Sequence, residues 1–294
     1  MRVAVVGARG QLGAAIVHEF AQRHDVLAFG RAELDIANDA AVDAAMERVR
    51  PEIIIDAAAF TNVDAAEDRP IAALDDNAFG VRALARAAAR HGATLVYYST
   101  DFVFDGKSSS PYTETDRPNP QSIYAASKLL GEWFALEAPV AYVLRVESLF
   151  GRSESGPTPR GTIASILNTL TGGGFPKVFD DRTVSPTYLP DAVSATRRLL
   201  ESAAPAGLYH CVNSGFCTWL EFAQALAHGL GGEALVAKLV PVRMAEVPLR
   251  AVRPRFCALS NGKLASVGIT MPTWQDALAR FLADEGALKM RSPG

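Results

Sequence analysis

The sequence predicts a doubly wound α/β fold, a parallel sheet with helices on both faces, and three observations carry that expectation. Short apolar runs alternate with stretches of helical periodicity through the first half of the chain. A glycine-rich turn, Gly7-Ala-Arg-Gly10-Gln-Leu-Gly13, joins the first run to the first helical stretch. The residues with chemistry to offer gather just past the ends of the runs, where sheets of this kind bind ligands.

Residues 2–6 (Arg-Val-Ala-Val-Val) are short, β-branched and stopped by glycine, which predicts a buried strand. Strand, glycine turn and a helix over 11–23 is the order that sets a pyrophosphate on a helix N-terminus. Gly7 permits the tight turn, Gly10 the approach of backbone to phosphate, and Gly13 the packing of helix on strand. Arg9, Gln11 and Leu12 fill the loop between them. The glycines are spaced three and three, where the dinucleotide fingerprint has two and three.

The second strand, near 26–29, should end at the adenosine ribose, where an acid would favour NAD. It runs instead into Gly30-Arg31, with Glu33 the first acid and Asp35 beyond. Arg9 and Arg31 suit a 2′-phosphate through their guanidinium forks, or are solvated surface arginines. NADPH is the preferred cofactor and NADH stays open. Strands near 53–57, 94–98 and 140–146 and helices near 38–49, 71–91 and 122–137 complete the alternation. Ala57, Ala58 and Ala59, Ser99–Thr100 and Arg145–Gly151 all fall at strand ends.

Tyr124 and Lys128 lie four apart on the 122–137 helix and so share a face. A free phenol titrates near about 10, too high for ready proton exchange at neutral pH. A neighbouring ammonium favours phenolate and would make Tyr124 a usable acid. A hydroxyl from Ser99 or Thr100 would then hold a carbonyl against it. The alternative is a surface pair at helical spacing.

Composition fits a soluble enzyme. The 294 residues are 49% hydrophobic, enough for one large core and a smaller lobe. The net charge of −3 gives no basic footprint for nucleic acid. No apolar stretch has the length of a membrane span, and the first strand is too short for a signal peptide, so a cytoplasmic location is expected. Cys211, Cys217 and Cys257 form no CxxC, and the five histidines have no metal-ligand spacing.

Past Gly151 the texture changes. Gly151–Gly161 is rich in Gly, Ser and Pro and reads as a mobile loop over substrate or a passive connector; Gly172–Gly174 is another breaker. A helix over Pro190–Glu201 and a strand at Gly207–Cys211 should return to the first domain. The expected division is therefore a dinucleotide domain of 1–150 joined by 186–213, and a smaller substrate lobe of 151–185 and 214–294. Helices Trp219–Leu230 and Trp274–Leu282 belong to that lobe, with Trp219 in its core.

Together, the three glycines, Asp56-Ala-Ala-Ala-Phe-Thr-Asn-Val-Asp64, Asn77, Ser99-Thr-Asp-Phe-Val-Phe-Asp-Gly106 and Tyr124-x-x-x-Lys128 carry a resemblance. The chain resembles the extended short-chain dehydrogenase/reductases, a Rossmann-like group, and within them the dTDP-4-dehydrorhamnose reductase family. Pro118-Asn-Pro120, Asp181 through Ser185-Pro-Thr187, Gly207-Leu-Tyr-His210 and Arg253-Pro254 extend it over about residues 1–285. The resemblance implies NAD(P)H-dependent reduction of the 4-keto group of a nucleotide-linked deoxysugar, a step that supplies cell-surface polysaccharide. It implies that Tyr124 protonates the carbonyl oxygen, Thr100 hydrogen-bonds it, and Lys128 binds the nicotinamide ribose and lowers the Tyr124 pKa. Ala57–Ala59 would line the cofactor, and Thr61 and Val63 the start of the substrate pocket.

Some positions depart from that pattern. Ala15 stands where members with Mg²⁺ at a dimer interface carry Glu, which speaks against a metal-bridged pair while leaving a homodimer open. Ser148 stands where many rhamnose reductases place Trp, pointing to another sugar or another kind of substrate. Glu147 is a pocket group or a packed strand-end acid. Arg253 and Arg255 are candidates for a substrate diphosphate or for surface ion pairs. Asp101 and Phe102, beside Thr100, are candidates to border the substrate; Asp101 reads by default as a turn-forming aspartate, with orienting the loop around Thr100 as the alternative. A related branch, the regulatory subunit of methionine adenosyltransferase, offers a non-catalytic alternative in which Tyr124 and Lys128 are cofactor contacts only.

Overall fold

The computed structural model describes residues 1–152, 156, 161–202 and 204–291, with side chains as far as 284. The first half alternates as the sequence predicts: β1 (Arg2–Val6), α1 (Gln11–Phe20), β2 (Asp25–Phe29), α2 (Asp39–Val49) and β3 (Ile53–Asp56). There follow α3 (Val63–Asp68), α4 (Pro70–Leu74), α5 (Gly80–His91), β4 (Thr94–Thr100), α6 (Ile123–Ala135) and β5 (Ala141–Val146). All five strands pair in parallel, and a sixth, Gly207–His210, joins β5 in the same sense. The sheet order is β2, β1, β3, β4, β5, Gly207–His210.

The pleat explains the two cores. Val3, Val5, Ile53, Ile55, Val96 and Tyr98 pack on one face with Ile16 and Phe20 of α1. Their neighbours Ala4, Val6, Ile54, Leu95 and Tyr97 pack on the other with α2 and α5. A sheet covered on both faces needs apolar residues at consecutive positions, which is why these strands read as unbroken runs. Chain order reverses at β1, whose neighbours are β2 and β3, and this opens a crevice at their carboxyl ends.

The helix expected over 71–91 runs from Pro70 to His91, with a change of pitch inside it. Asn62 caps α3 by accepting the Ala65 N–H (3.0 Å), and Pro70 opens α4. A π-helical turn, Asp75–Phe79, then precedes α5. That turn presents Asn77, whose side chain accepts the Phe60 N–H (2.8 Å) and donates to Phe60 O (3.1 Å) and Ser127 Oγ (3.0 Å). The α1 helix stops at Phe20, short of the expected Arg23, and a turn follows in which Arg23 and His24 both donate their N–H groups to Phe20 O.

Past β5, Phe150, Ile166, Trp219, Phe222, Trp274 and Phe281 belong to a further apolar cluster. The expected loop at Gly151–Gly161 falls largely on 153–155 and 157–160, outside the described residues. Among the described residues no helix is long and apolar enough to cross a membrane.

The seat of α6 is tight. A Cβ at Gly131 would come within 2.2 Å of Asn77 O and 2.4 Å of Tyr97 Oη, and the first is backbone. Gly131→Ala should therefore cost about 1–3 kcal/mol through overpacking, read by denaturant unfolding. Undiminished stability would mean that α6 can lift from the sheet.

Candidate active site

The glycine loop closes against the end of β3. Gly7 has φ +75°, and a Cβ there would lie 2.4 Å from Ala58 N; one at Gly13 would lie 2.2 Å from Gly7 O. Among the described residues, a Cβ at Gly10 would meet only Gly7 O, at 3.2 Å, so the loop is open on that side. Gly10 is also the N-cap of α1 and brings no side-chain cap, which leaves the first helical turn suited to an anion. Ala57 donates to Val6 O (3.0 Å), placing Ala57–Ala59 beside the loop, and Gln11 Nε2 donates to Gly151 O (3.0 Å). These features fit a dinucleotide pyrophosphate.

At the end of β2, Arg9 donates to Glu33 (3.1 Å) and Arg31 to Asp76 (3.1 and 3.4 Å). Both guanidiniums are largely exposed and sit where the adenosine ribose was expected. Asp35 accepts the Ala37 N–H and lies 4.0 Å from Arg31.

Across the crevice, Ser122 caps α6 through the Ala125 N–H (3.3 Å), and Glu67 of α3 accepts the Ile123 N–H (2.8 Å). The cap fixes the first turn, which carries Tyr124. Phe102 meets the phenol edge-on at 5.6 Å. Burial pushes the Tyr124 pKa up to about 12; the nearby Thr100 hydroxyl works against that shift, and Asp101 adds to it. The net shift is upward, where the spacing predicts a lowering by Lys128. Its ammonium instead donates to Tyr98 O (2.6 Å) and lies 4.1 Å from the Tyr97 ring centroid. Burial draws Lys128 down to about 8, with Asp56 opposing. Burial raises buried Asp56 in turn, with Lys128 opposing.

Thr100 Oγ1 lies 2.9 Å from Asp101 Oδ1 and accepts the Phe102 N–H (3.3 Å). Behind it is a sealed polar cluster that sequence reading did not assemble. Arg182 approaches Asp101 Oδ2 (3.9 Å) and Cys257 Sγ (3.6 Å), donates to Pro254 O (3.2 Å) and covers the Phe102 ring at 5.1 Å. Glu147 is 2% exposed and accepts the Ser185 N–H (2.7 Å), so it is a packed strand-end acid. Ser148 follows with φ +48°, a strained backbone that turns the chain out of β5.

Other expected residues are placed differently. Thr61 is exposed in the loop after β3, and Val63 opens α3. Arg253 does not reach out for a phosphate: both its terminal nitrogens bond Asp64 at 2.8 Å. Asp64 also accepts the Ala251 N–H, and the Arg253 fork holds its carboxyl down at about 2. Arg255 lies 3.4 Å from Asp181.

A family model described as the RmlD substrate binding domain matches residues 1–286. The chain belongs to this family. Within the RmlD group, dTDP-4-dehydrorhamnose reductase of Mycobacterium tuberculosis H37Rv is 35% identical over 289 residues, 96% of this chain and 92% of that protein. The spore coat polysaccharide biosynthesis protein SpsK of Bacillus subtilis is 32% identical, over 97% and 98% of the two chains. A dTDP-4-dehydrorhamnose reductase from Bacillus anthracis, solved in complex with NADP, has a TM-score of 0.87 at 32% identity, covering 96% and 99%. The Rossmann-like, extended short-chain dehydrogenase/reductase expectation is thus borne out.

The Lys128–Asp56 arrangement sets a pH response. The Lys128 ammonium is lost as pH rises through about 8. Asp56→Asn removes the carboxylate that holds the charge and should move that loss to lower pH, followed by NMR titration of labelled lysine. A Lys128 midpoint unmoved by Asp56→Asn would uncouple the two groups.

Proposed function

We propose that this RmlD-family chain uses NADPH to reduce the 4-keto group of a nucleotide-linked 6-deoxyhexulose, with dTDP-4-dehydrorhamnose as the substrate to which the relatives' names point. The observation that carries the reading is the buried Tyr124 phenol standing beside the Thr100 hydroxyl at the carboxyl end of β4, across the crevice from the glycine loop. The bound cofactor would supply hydride to the carbonyl carbon. Gly7, Gly10 and Gly13 hold its pyrophosphate with the first turn of α1. Arg9 and Arg31 exchange their carboxylate partners for the 2′-phosphate, which favours NADPH over NADH.

Burial keeps Tyr124 protonated at neutral pH, so it stands ready to give its proton as charge grows on the carbonyl oxygen. Thr100 orients the phenol, and Asp101 orients Thr100. Lys128 serves the nicotinamide ribose rather than the phenol. Thr61, Val63 and Phe102 border the sugar, and the segments 151–185 and 214–294 form the lobe that encloses it. Glu147 and Arg253 act from behind the pocket.

Tyr124→Phe should lose about 10²- to 10⁴-fold in kcat while keeping NADPH affinity, measured by cofactor oxidation with dTDP-4-dehydro-6-deoxy-L-mannose. An undiminished rate in that variant would remove Tyr124 from the chemistry. NADPH binding by the wild-type chain without turnover of this sugar would favour the regulatory-subunit reading.

A further inference from the structure

The sealed cluster behind Thr100 does not balance if every carboxyl in it is ionised. Asp101, Glu147 and Cys257 bring ligand atoms within 4.8 Å of one another, and all three residues are buried. Among the described residues one guanidinium, Arg182, faces them, and its close contacts are to Asp101 and Cys257. Glu147 has its Oε2 occupied by the Ser185 N–H, while its Oε1 is sealed and has no hydrogen-bond partner among the described residues. Asp101 Oδ2 is likewise sealed and unbonded. Two anions and one cation, shut off from water with bare oxygens, leave an uncompensated negative charge, which a buried site sheds by keeping a proton. A metal does not answer the geometry, since Arg182 already supplies the cation to Asp101 and Cys257.

We infer that Glu147 is a neutral carboxylic acid at neutral pH and acts as a positioning residue for Tyr124. Its neutrality leaves Arg182 to Asp101 and keeps a second anion away from the phenol that must take up charge when it gives its proton. Asp101, paired with Arg182, then holds Thr100, whose hydroxyl stands beside the phenol. Burial raises Asp101 too, but Arg182 and then Thr100 oppose that shift, whereas burial and then Asp101 push Glu147 well up; buried Cys257 and Cys217 stay thiols because burial raises both. The kinetic part of this inference rests on the reductase reading; the protonation state does not.

The test compares wild type with Glu147→Gln, an uncharged isostere. Infrared difference spectra at neutral pH should show the C=O stretch of a protonated carboxylic acid in the wild type and its loss in the variant. Thermal stability gives a second readout that needs no turnover. An acid protonated when native and ionised when unfolded loses stability as pH rises from about 4.3 toward its native pKa, so the wild type should decline more steeply than the variant. The kcat ratio of variant to wild type should climb with pH as the wild type gains the second anion. A rise of roughly three- to tenfold corresponds to moving a pKa by half to one unit, and Lys128 cancels in the ratio. Matching infrared spectra with parallel stability profiles would overturn the inference. So would a stoichiometric divalent metal in the purified protein. Loss of the band with a flat kcat ratio would keep the neutral acid and overturn its role toward Tyr124.

Discussion

The arrangement depends on one buried ion pair. Glu132 of α6 receives two hydrogen bonds from Arg145 of β5 (2.8 and 2.7 Å) and one from Ser99 of β4 (2.5 Å). Tyr124, Lys128 and Glu132 are successive i, i+4 positions, so the pair that anchors the helix also fixes the rotation at which the phenol and the ammonium meet the sheet. Arg145 extends the contact to His210 Nε2 (3.3 Å) in the last strand and lies over the Phe104 ring. Burial, reinforced by the Arg145 charge, holds His210 near about 3. The ring is therefore neutral, accepting at Nε2 and donating at Nδ1 to Ser260 O. Desolvation offsets much of the Coulomb gain in such a pair. Its contribution is geometric: it admits one register of helix on strands.

Most of the sheet was legible because a strand covered on both faces must be apolar at every position, and glycine stops mark the ends. The glycine loop was legible for a related reason. Two of its glycines lie so close to other backbone that no side chain fits, so the requirement is written directly into residue type. The π-turn at Asp75–Phe79 was not legible. Its alanine-rich surroundings keep helical periodicity on both sides, and the extra residue is set by what Asn77 bonds across the chain.

The site was legible in its residues and less so in their partners. Spacing put Tyr124 and Lys128 on one face, yet it could not say that the lysine head turns to Tyr98 O, because that choice depends on a neighbouring strand. Arg253 looked like a phosphate fork until Asp64, 189 positions earlier, filled it. Arg182 and Cys257 join Asp101 and Glu147 only through the fold. No local pattern marks them, and Arg182 lay merely within a family-like stretch.

The sheet order also governs how the chain comes off the ribosome. β1 through β5 are complete by Val146, yet β5 has no outer neighbour until Gly207–His210 has been made. During the synthesis of about sixty residues, an apolar strand carrying Arg145 stands as an open edge, the kind of surface on which chains pair wrongly. The arrival of Gly207–His210 closes that edge and delivers His210 to Arg145 in the same event. A chain ending before Gly207 would lack the strand that covers β5 and would leave that edge open to pairing with another molecule.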